Sequence, residues 1–295
     1  IYRELLVIAP SDGVPGLIVS APSSSSGKTL ISLGLLRHWL NSGLVASSFK
    51  VGPDYIDAAF LHAASNRKCF NLDTWAMTEA SIRSWFNNIS NGSDVVLGEG
   101  VMGLYDGAAG GGGATADLAI SLGIPVVLVV DVRGQGASVA ALVNGFRNFR
   151  SRVNIVGIIL NYVGSLKHEA ILRNALEAID VPIFGAIPKN ISLELPSRHL
   201  GLVQASETKG LQKFMNSTAD IIGRHVDVEK ILKVMLPTNI CFDTSTPQIG
   251  LKPFGQRISV ASDQAFAFCY ETILEGWREA GAEIKMFSPL LDEAP

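Results

Sequence analysis

The sequence predicts an α/β fold, with a parallel sheet covered by helices on both faces. Short apolar runs alternate along the chain with stretches whose apolar residues recur at helical spacing, which is the pattern of βαβ units. Of the 295 residues, 47% are apolar and only 17% are charged, as expected where strands are buried on both faces. The length corresponds to about two domains.

Six apolar runs predict the strands of this sheet. They are residues 16–21, 46–51, 94–97, 125–131, 155–161 and 182–187. Helical spacing predicts one helix that starts at Thr29 and six helices farther along the chain. These six are residues 78–89, 115–122, 137–149, 167–179, 211–223 and 227–234. Because ligands of such sheets bind beyond the carboxyl ends of the strands, the segments that follow the strands are candidates for a functional site.

The character of the sequence changes after these helices. Residues 236–256 contain several prolines and show no periodicity, which predicts a linker. A second α/β unit then begins, with strands predicted at residues 257–261 and 283–287 and a helix at 264–280. This unit is too short for a domain, so we expect the chain to be part of a longer polypeptide. The predicted divisions are a first domain over 1–235, a linker over 236–256, and an incomplete second domain over 257–295.

A phosphate-binding loop (P-loop) follows the first predicted strand and opens the first predicted helix. Its sequence, Ser-Ser-Ser-Ser-Gly-Lys-Thr, covers residues 23–29. In this context backbone N–H groups bind phosphates, the lysine reaches the terminal phosphates, and the threonine hydroxyl binds Mg²⁺. Pro22 replaces the usual glycine five residues before Gly27, and the alternative is a serine-rich surface turn. The candidate nucleotide-binding residues are Ser24, Ser25, Ser26, Gly27, Lys28 and Thr29.

A lysine and two acids follow the second predicted strand, in the sequence Lys-Val-Gly-Pro-Asp-Tyr-Ile-Asp. Lys50 would neutralise a phosphate or a substrate carboxylate. Asp54 would hold Mg²⁺ or orient a nucleophile, and Asp57 lies three residues farther along. Their position just beyond a strand favours a role in the site. The alternative is a solvated turn whose acids cap a helix.

Two more acids follow the strand predicted at residues 94–97. Glu99 stands where the Walker-B carboxylate of a P-loop protein binds Mg²⁺. Asp106 precedes the glycine-rich residues 107–113. Such a segment can close over a ligand, although a flexible surface loop has the same composition.

Composition and charge exclude several classes of function. The formal net charge of −3 offers no broad basic surface for nucleic acid. The sequence contains no apolar stretch near the roughly 18 residues of a membrane span and no signal peptide, so we expect a cytoplasmic protein. The three cysteines and five histidines show no metal-binding spacing. At His199 a ligand contact is an alternative, and a structural loop is the favoured interpretation.

Several segments together resemble one family, the glutamine-dependent cobyrinic or hydrogenobyrinic acid a,c-diamide synthases. They include the P-loop with Pro22, the acids at the strand ends, and the sequence Asn-Leu-Asp-Thr-Trp at residues 71–75. Near the end of the chain, Asp-Gln-Ala-Phe-Ala-Phe and Phe-Ser-Pro-Leu are similar to the opening of that family's class I glutaminase domain. The similar segments are residues 21–29, 50–57, 71–75, 99–107, 115–117, 157–161, 195–202, 263–268 and 287–290.

This resemblance implies a P-loop NTPase-like enzyme that forms amides on a corrin polycarboxylate. In that family ATP activates the a- and c-acetate carboxylates through an acyl phosphate, and glutamine or free ammonia supplies the nitrogen. The catalytic residues that the resemblance implies are Lys28, Asp54, Asp57, Glu99 and Asp106. The implied ligands are Thr29, Asp54 and Glu99 for Mg²⁺, and residues 24–29, Lys50 and Asn161 for ATP, with Asn161 at the adenine. The cobalt content of the ring, the order of amidation and the oligomeric state stay open, with a homodimer as one option.

Three other functions are alternatives. Cobyric acid synthase and dethiobiotin synthetase share the P-loop fold, but residues 52–57 and the second unit disfavour dethiobiotin synthetase. A ParA/MinD-like ATPase switch would bind partners rather than form amides. Such switches carry an additional lysine early in the P-loop, where this chain has serines. A glutaminase nucleophile is expected beyond Pro295, because Cys69, Cys241 and Cys269 do not lie in nucleophile-elbow sequences.

Overall fold

The computed structural model describes Tyr2 and residues 13–189, 204–237 and 251–295. Its main sheet has the strand order β3-β2-β4-β1-β5-β6-β7, with all neighbours in this order parallel. A short strand, β8, pairs antiparallel with the start of β1. The strands are β1 Pro15–Ser20, β2 Ala46–Val51, β3 Cys69–Leu72, β4 Val95–Glu99, β5 Val126–Asp131, β6 Ile155–Val163, β7 Ile183–Pro188 and β8 Leu236–Pro237.

Eight α-helices connect or follow these strands in the described part of the chain. They are α1 Lys28–Asn41, α2 Tyr55–Ser65, α3 Glu79–Ser90, α4 Thr115–Leu122, α5 Ser138–Phe149, α6 Leu166–Glu177, α7 Leu211–His225 and α8 Val228–Val234. No helix among the described residues combines the length and the apolarity that crossing a bilayer requires.

The central strand β1 divides the apolar core into two halves, because alternate residues of a strand point to opposite faces. Leu17 and Val19 pack into a cluster with residues of α1, α2, α7 and α8. Ile18 packs into a second cluster with residues of α3, α4, α5 and α6. Helices therefore cover both faces of the sheet, and the predicted fold class is confirmed.

The second α/β unit contains two parallel strands and one helix, β9 Arg257–Ala261, α9 Glu271–Glu279 and β10 Glu283–Phe287. Both predicted strands are confirmed. The predicted helix starts too early, because the Asp263 carboxylate accepts hydrogen bonds from the backbone N–H groups of Ala265 and Phe266. An aspartate that bonds the backbone two or three residues ahead favours a turn over a continuing helix.

The strands and helices predicted for the main sheet agree with the structure to within a few residues at their ends. Three elements were not predicted, the helix α2 and the strands β3 and β8. Leu236 and Pro237, assigned to the linker, pair with Gly16 and Pro15 of the sheet. The remainder of that linker up to residue 250 lies outside the described residues.

Gly98→Ala should destabilise the protein, whereas Gly145→Ala should stabilise it. A Cβ on Gly98 would lie 2.3 Å from a ring atom of Phe49, which is fully buried on the neighbouring strand. Overpacking of this kind costs about 1–3 kcal/mol. A Cβ on Gly145 meets no atom within 4 Å, and alanine gains about 1 kcal/mol over glycine in a helix. Urea unfolding measures both changes, and equal stabilities for the two variants would contradict the packing at Gly98.

Candidate functional site

The P-loop joins β1 to α1, and its last residue before the helix must be glycine. Gly27 has a φ of +93°, and a Cβ there would lie 2.1 Å from Nδ2 of Asn161. That amide nitrogen donates a hydrogen bond of 2.9 Å to the carbonyl of Ser26. Asn161, at the end of β6, therefore holds the loop from the side. Ser24 and Ser25 are exposed, whereas Ser26 is buried.

The lysine of the P-loop lies between its own loop and the segment after β4. Lys28 Nζ donates to the carbonyl of Ser23 at 3.1 Å and to the carbonyl of Met102 at 2.6 Å. Burial lowers the pKa of Lys28 below its ordinary value, although the charge of nearby Glu99 opposes this effect. The ammonium group is thus held at the junction of the two loops that carry candidate site residues.

Lys50, at the end of β2, lies at the centre of a cluster of acids. Its side chain is 2% exposed, and Nζ lies 2.6 Å from Asp57 Oδ2, 2.9 Å from Glu99 Oε1 and 3.6 Å from Asp54 Oδ2. Burial alone would lower the pKa of Lys50, but these carboxylates raise it above its ordinary value. The positive charge therefore lies beside three carboxylates of the chain itself.

Glu99 ends β4 and is fully buried. Its Oε1 accepts a 2.6 Å hydrogen bond from the Thr29 hydroxyl, in addition to the bond from Lys50. Its Oε2 is buried without a hydrogen-bond partner among the described residues. Burial raises the pKa of Glu99 to about 7, against the opposing charge of Lys50. Glu99 therefore connects the P-loop to the acid cluster and keeps one oxygen uncommitted.

Asp54 and Asp57 begin α2 beside Lys50. Asp54 caps the helix, since its Oδ1 accepts hydrogen bonds from the N–H groups of Ile56 and Asp57 at 3.0 and 3.1 Å. Burial, then the charge of Asp57, raises the pKa of Asp54. Burial would also raise the pKa of Asp57, but Lys50 outweighs it and holds this pKa below its ordinary value. Asp54 therefore caps the helix, as the alternative interpretation of the sequence predicts, and it also lies beside Lys50.

Asp106 is exposed and lies on the segment that follows β4. Its Oδ2 accepts a 3.0 Å hydrogen bond from the N–H group of Gly103. The next N–H group, of Leu104, donates to the carbonyl of Ala21 at 2.8 Å. A Cβ on Gly103 would lie 2.5 Å from the carbonyl of Pro22, so the backbone of this segment packs directly against the P-loop.

The structure brings six of the predicted site residues into one cluster. They are Lys28, Thr29, Lys50, Asp54, Asp57 and Glu99. Asn161 and Asp106 flank the P-loop, and His199 and Cys241 lie outside the described residues. The described residues contain no group of three or more His, Cys, Asp or Glu with the geometry of a metal site.

Two residues that contact the site were not assigned a role from the sequence. Asn71 donates to the carbonyls of Gly52 and Asp54, both at 2.9 Å, and Met102 accepts from Lys28. Asn71 begins the segment 71–75 that the resemblance singled out, but its contacts follow from the strand β3, which was not predicted. Met102 acts through its backbone carbonyl, which leaves no signal in the sequence.

A cavity of about 880 Å³ lies beside the acid cluster, between the main sheet and the second unit. Its lining includes Gly52, Pro53, Trp85, Tyr270 and Ile273. The described lining residues also include two acids, Asp73 and Glu279, and no lysine or arginine.

A protein-family model described as the CobQ/CobB/MinD/ParA nucleotide binding domain matches residues 17–203. The hydrogenobyrinate a,c-diamide synthase of Brucella suis biovar 1 (strain 1330) is 50% identical over 281 residues, which are 95% of this chain and 64% of that protein. The enzyme of the same name from Rhodobacter capsulatus is 44% identical over 291 residues, 97% of this chain and 65% of that protein. The chain thus spans about 64% of the length of the Brucella relative.

Solved structures show a weaker likeness. Chloroplast FtsY from Physcomitrella patens has a TM-score of 0.43 at 14% identity, over 74% of this chain and 72% of that chain. The cell division ATPase MinD from Pyrococcus furiosus has a TM-score of 0.40 at 17% identity, over 72% of this chain and 99% of that chain.

The contribution of Glu99 to the stability of the folded protein should fall as the pH rises towards 7. The pKa of this carboxyl is raised from 4.5 to about 7 on folding, so folding takes up a proton between these values. The stabilisation is complete below the ordinary pKa and is lost as the pH rises through the raised one. The free energy of unfolding of the wild type minus that of Glu99→Gln should therefore fall from about pH 5 to about pH 8.

Urea unfolding at several pH values, without Mg²⁺, measures this difference. Glu229→Gln removes an exposed glutamate on α8 and is the matched control, for which the difference should stay nearly flat. A difference for Glu99→Gln that rises over the same range would show that the carboxyl is not raised in pKa.

Proposed function

The chain belongs to the CobQ/CobB/MinD/ParA nucleotide-binding domain family, and on that premise we propose that it is the synthetase portion of a glutamine-dependent ligase. The proposed reaction is ATP-dependent amidation of the a- and c-acetate carboxylates of hydrogenobyrinic or cobyrinic acid, in the cytoplasm. Support comes from the relatives named hydrogenobyrinate a,c-diamide synthase, which are 44–50% identical over nearly the whole chain. The observation that carries the proposal is the cluster in which Thr29 of the P-loop, Glu99 and Lys50 are directly bonded.

In this proposal the P-loop binds the triphosphate of ATP. The backbone of residues 24–27 offers N–H groups at the start of α1, where the helix dipole favours an anion. Lys28 exchanges its carbonyl partners for phosphate oxygens, and a hydrogen bond to a charged group is the stronger of the two. Asn161 has one amide hydrogen bonded to Ser26, which leaves its second amide hydrogen for the adenine.

Mg²⁺ fits the residues at the end of β4. Magnesium is usually bound through one or two carboxylates together with substrate phosphates and water, not by an all-protein cage. The buried Oε2 of Glu99 has no partner among the described residues, and the Thr29 hydroxyl is bonded to the same carboxylate. Glu99 and Thr29 would hold the ion, with Asp54 nearby, and the ion would neutralise charge on the phosphates.

The residues around the P-loop would then position a substrate carboxylate for phosphoryl transfer. A carboxylate oxygen attacks the γ-phosphorus and ADP leaves, which gives an acyl phosphate. Ammonia attacks the acyl carbon, phosphate leaves, and the nitrogen loses a proton. Lys28 stabilises the charge on the transferred group, and the exposed Asp106, on the segment that packs against the P-loop, would lie near the reacting carboxylate.

The second unit would begin the domain that releases ammonia from glutamine. Its support is the similarity of residues 263–268 and 287–290 to a class I glutaminase, together with the βαβ arrangement of β9, α9 and β10. The boundaries 1–235, 236–256 and 257–295 remain part of this proposal, although Leu236 and Pro237 pair with β1 of the main sheet.

Lys28→Ala should abolish amidation while the protein stays folded. The lysine contributes charge at the phosphates rather than packing in the core, so its loss removes transition-state stabilisation. The assay supplies the chain with ATP, Mg²⁺, ammonium and hydrogenobyrinic or cobyrinic acid, and mass spectrometry counts the amides formed. Lys213→Ala, which removes an exposed lysine of α7, is the control and should be fully active.

A wild-type chain that is folded and binds ATP but amidates neither corrinoid would contradict the ligase proposal. It would favour an ATPase switch. Turnover by Lys28→Ala at saturating ATP would contradict the assignment of the P-loop. Thermal stabilisation by ATP shows whether nucleotide is bound.

Asp54→Asn and Glu99→Gln should each lower kcat by orders of magnitude. Both substitutions preserve size and remove one charge, so they test electrostatics directly. Glu99→Gln should also raise the Mg²⁺ concentration needed for half-maximal rate. Asp220→Asn removes the charge of an exposed aspartate of α7 and is the control. Normal rates in both site variants would show that Asp54 and Glu99 have only structural roles.

A further inference from the structure

Three consecutive backbone carbonyls, from Gly52 to Asp54, accept hydrogen bonds from side chains. Asn71 Nδ2 donates to the carbonyls of Gly52 and Asp54, both at 2.9 Å. The Tyr270 hydroxyl donates to the carbonyl between them, that of Pro53, at 3.0 Å. One of these side chains belongs to the main sheet and the other to the second unit. We call these three hydrogen bonds the carbonyl clamp.

The clamped residues determine where the acids of α2 lie. They connect Lys50, at the end of β2, to Asp54, which caps α2. Gly52 has a φ of +76°, a conformation that glycine adopts at little cost, so the chain turns sharply here. A small shift of this turn would move Asp54 and Asp57 away from Lys50 and Glu99.

Contacts on both sides of Tyr270 hold the second unit against this turn. The ring of Phe268 lies 4.2 Å from the ring of Tyr55, centroid to centroid. Lys68, just before β3, forms ion pairs with Glu271, at 3.2 Å, and with Glu275 of α9. The aromatic contact and the ion pairs flank the tyrosine in sequence, so its hydroxyl is directed to Pro53 by the docking of the whole segment.

We propose that Tyr270 and Asn71 are positioning residues, which through the carbonyl clamp make the placement of Asp54 and Asp57 depend on the docked second unit. Neither side chain is bonded to the acid carboxylates, so both act through the backbone. The catalytic consequence rests on the proposed ligase function. The clamp itself does not, and it can be measured without any turnover.

Tyr270→Phe tests the proposal, because it removes one oxygen and keeps the ring. Hydrogen exchange is read at the amides of Ile56 and Asp57, which are protected by Asp54 Oδ1. Loss of one hydrogen bond should speed their exchange about fivefold. The kcat for amidation with ammonium should fall by a similar factor, and KM for ATP should change less, because neither Tyr270 nor Asn71 is bonded to the P-loop.

Tyr2→Phe is the matched control. Its hydroxyl is hydrogen-bonded to His38, ten residues after Lys28 on α1, or about 15 Å along the helix. Exchange at Ile56 and Asp57 and kcat should both equal the wild type. Lys68→Met is a second variant that weakens docking without touching the turn, and it should change exchange and kcat in the same direction as Tyr270→Phe.

Unchanged exchange at Ile56 and Asp57 in Tyr270→Phe would overturn the clamp. Faster exchange with an unchanged kcat would overturn the positioning role. If the wild type does not amidate at all, the ligase proposal fails, and the exchange data still decide whether the clamp exists.

Discussion

The burial of one positive charge is the constraint on which the rest of the site depends. Removing an ammonium group from water costs several kcal/mol unless opposite charges replace the solvent. Lys50 meets this condition because three carboxylates surround it, and each comes from a defined place in the fold. Glu99 lies opposite Lys50 in the register of β2 and β4, while Asp54 and Asp57 lie at the start of α2. The sheet order β2-β4-β1 then places Glu99 beside Thr29 of the P-loop.

The same cluster carries an excess of negative charge, and this excess sets its chemistry. One lysine, Lys50, faces three acids. Burial raises the pKa of Glu99 to about 7, so ionisation of the Glu99 carboxyl costs free energy. A divalent cation at the uncommitted Oε2 would favour the ionised form and relieve the repulsion. Nucleotide phosphates alone would increase the repulsion. In the proposed function, phosphates that arrive with a metal ion would therefore suit the arrangement better than phosphates without one.

The sequence predicted the part of this site that lies at the carboxyl ends of the strands. Apolar runs located the strands, and the rule that ligands bind at the carboxyl ends then grouped Lys28, Lys50 and Glu99 correctly. The helix α2 and the strand β3 were missed, the strand because it has only four residues and includes the polar Asn71. The bond between Tyr270 and Pro53 joins residues 217 positions apart, and such a contact depends on how two units dock. The sequence indicated helix capping by Asp54 only as an alternative to a role in the site. In the structure Oδ1 of Asp54 caps α2, while Oδ2 lies beside Lys50.

Lys28 connects the two loops that border the cluster, because its ammonium group donates to the carbonyls of Ser23 and Met102. Met102, whose carbonyl accepts from Lys28, has a φ of +47°, a conformation that costs free energy for a residue other than glycine. The short hydrogen bond from the ammonium group offsets part of that cost. In the proposed function, a phosphate that takes Lys28 would remove this compensation at Met102. On the opposite side, the carbonyls of the turn from Gly52 to Asp54 accept hydrogen bonds from the side chains of Asn71 and Tyr270. The acids of α2 and the loop that carries Asp106 are therefore held by separate sets of contacts.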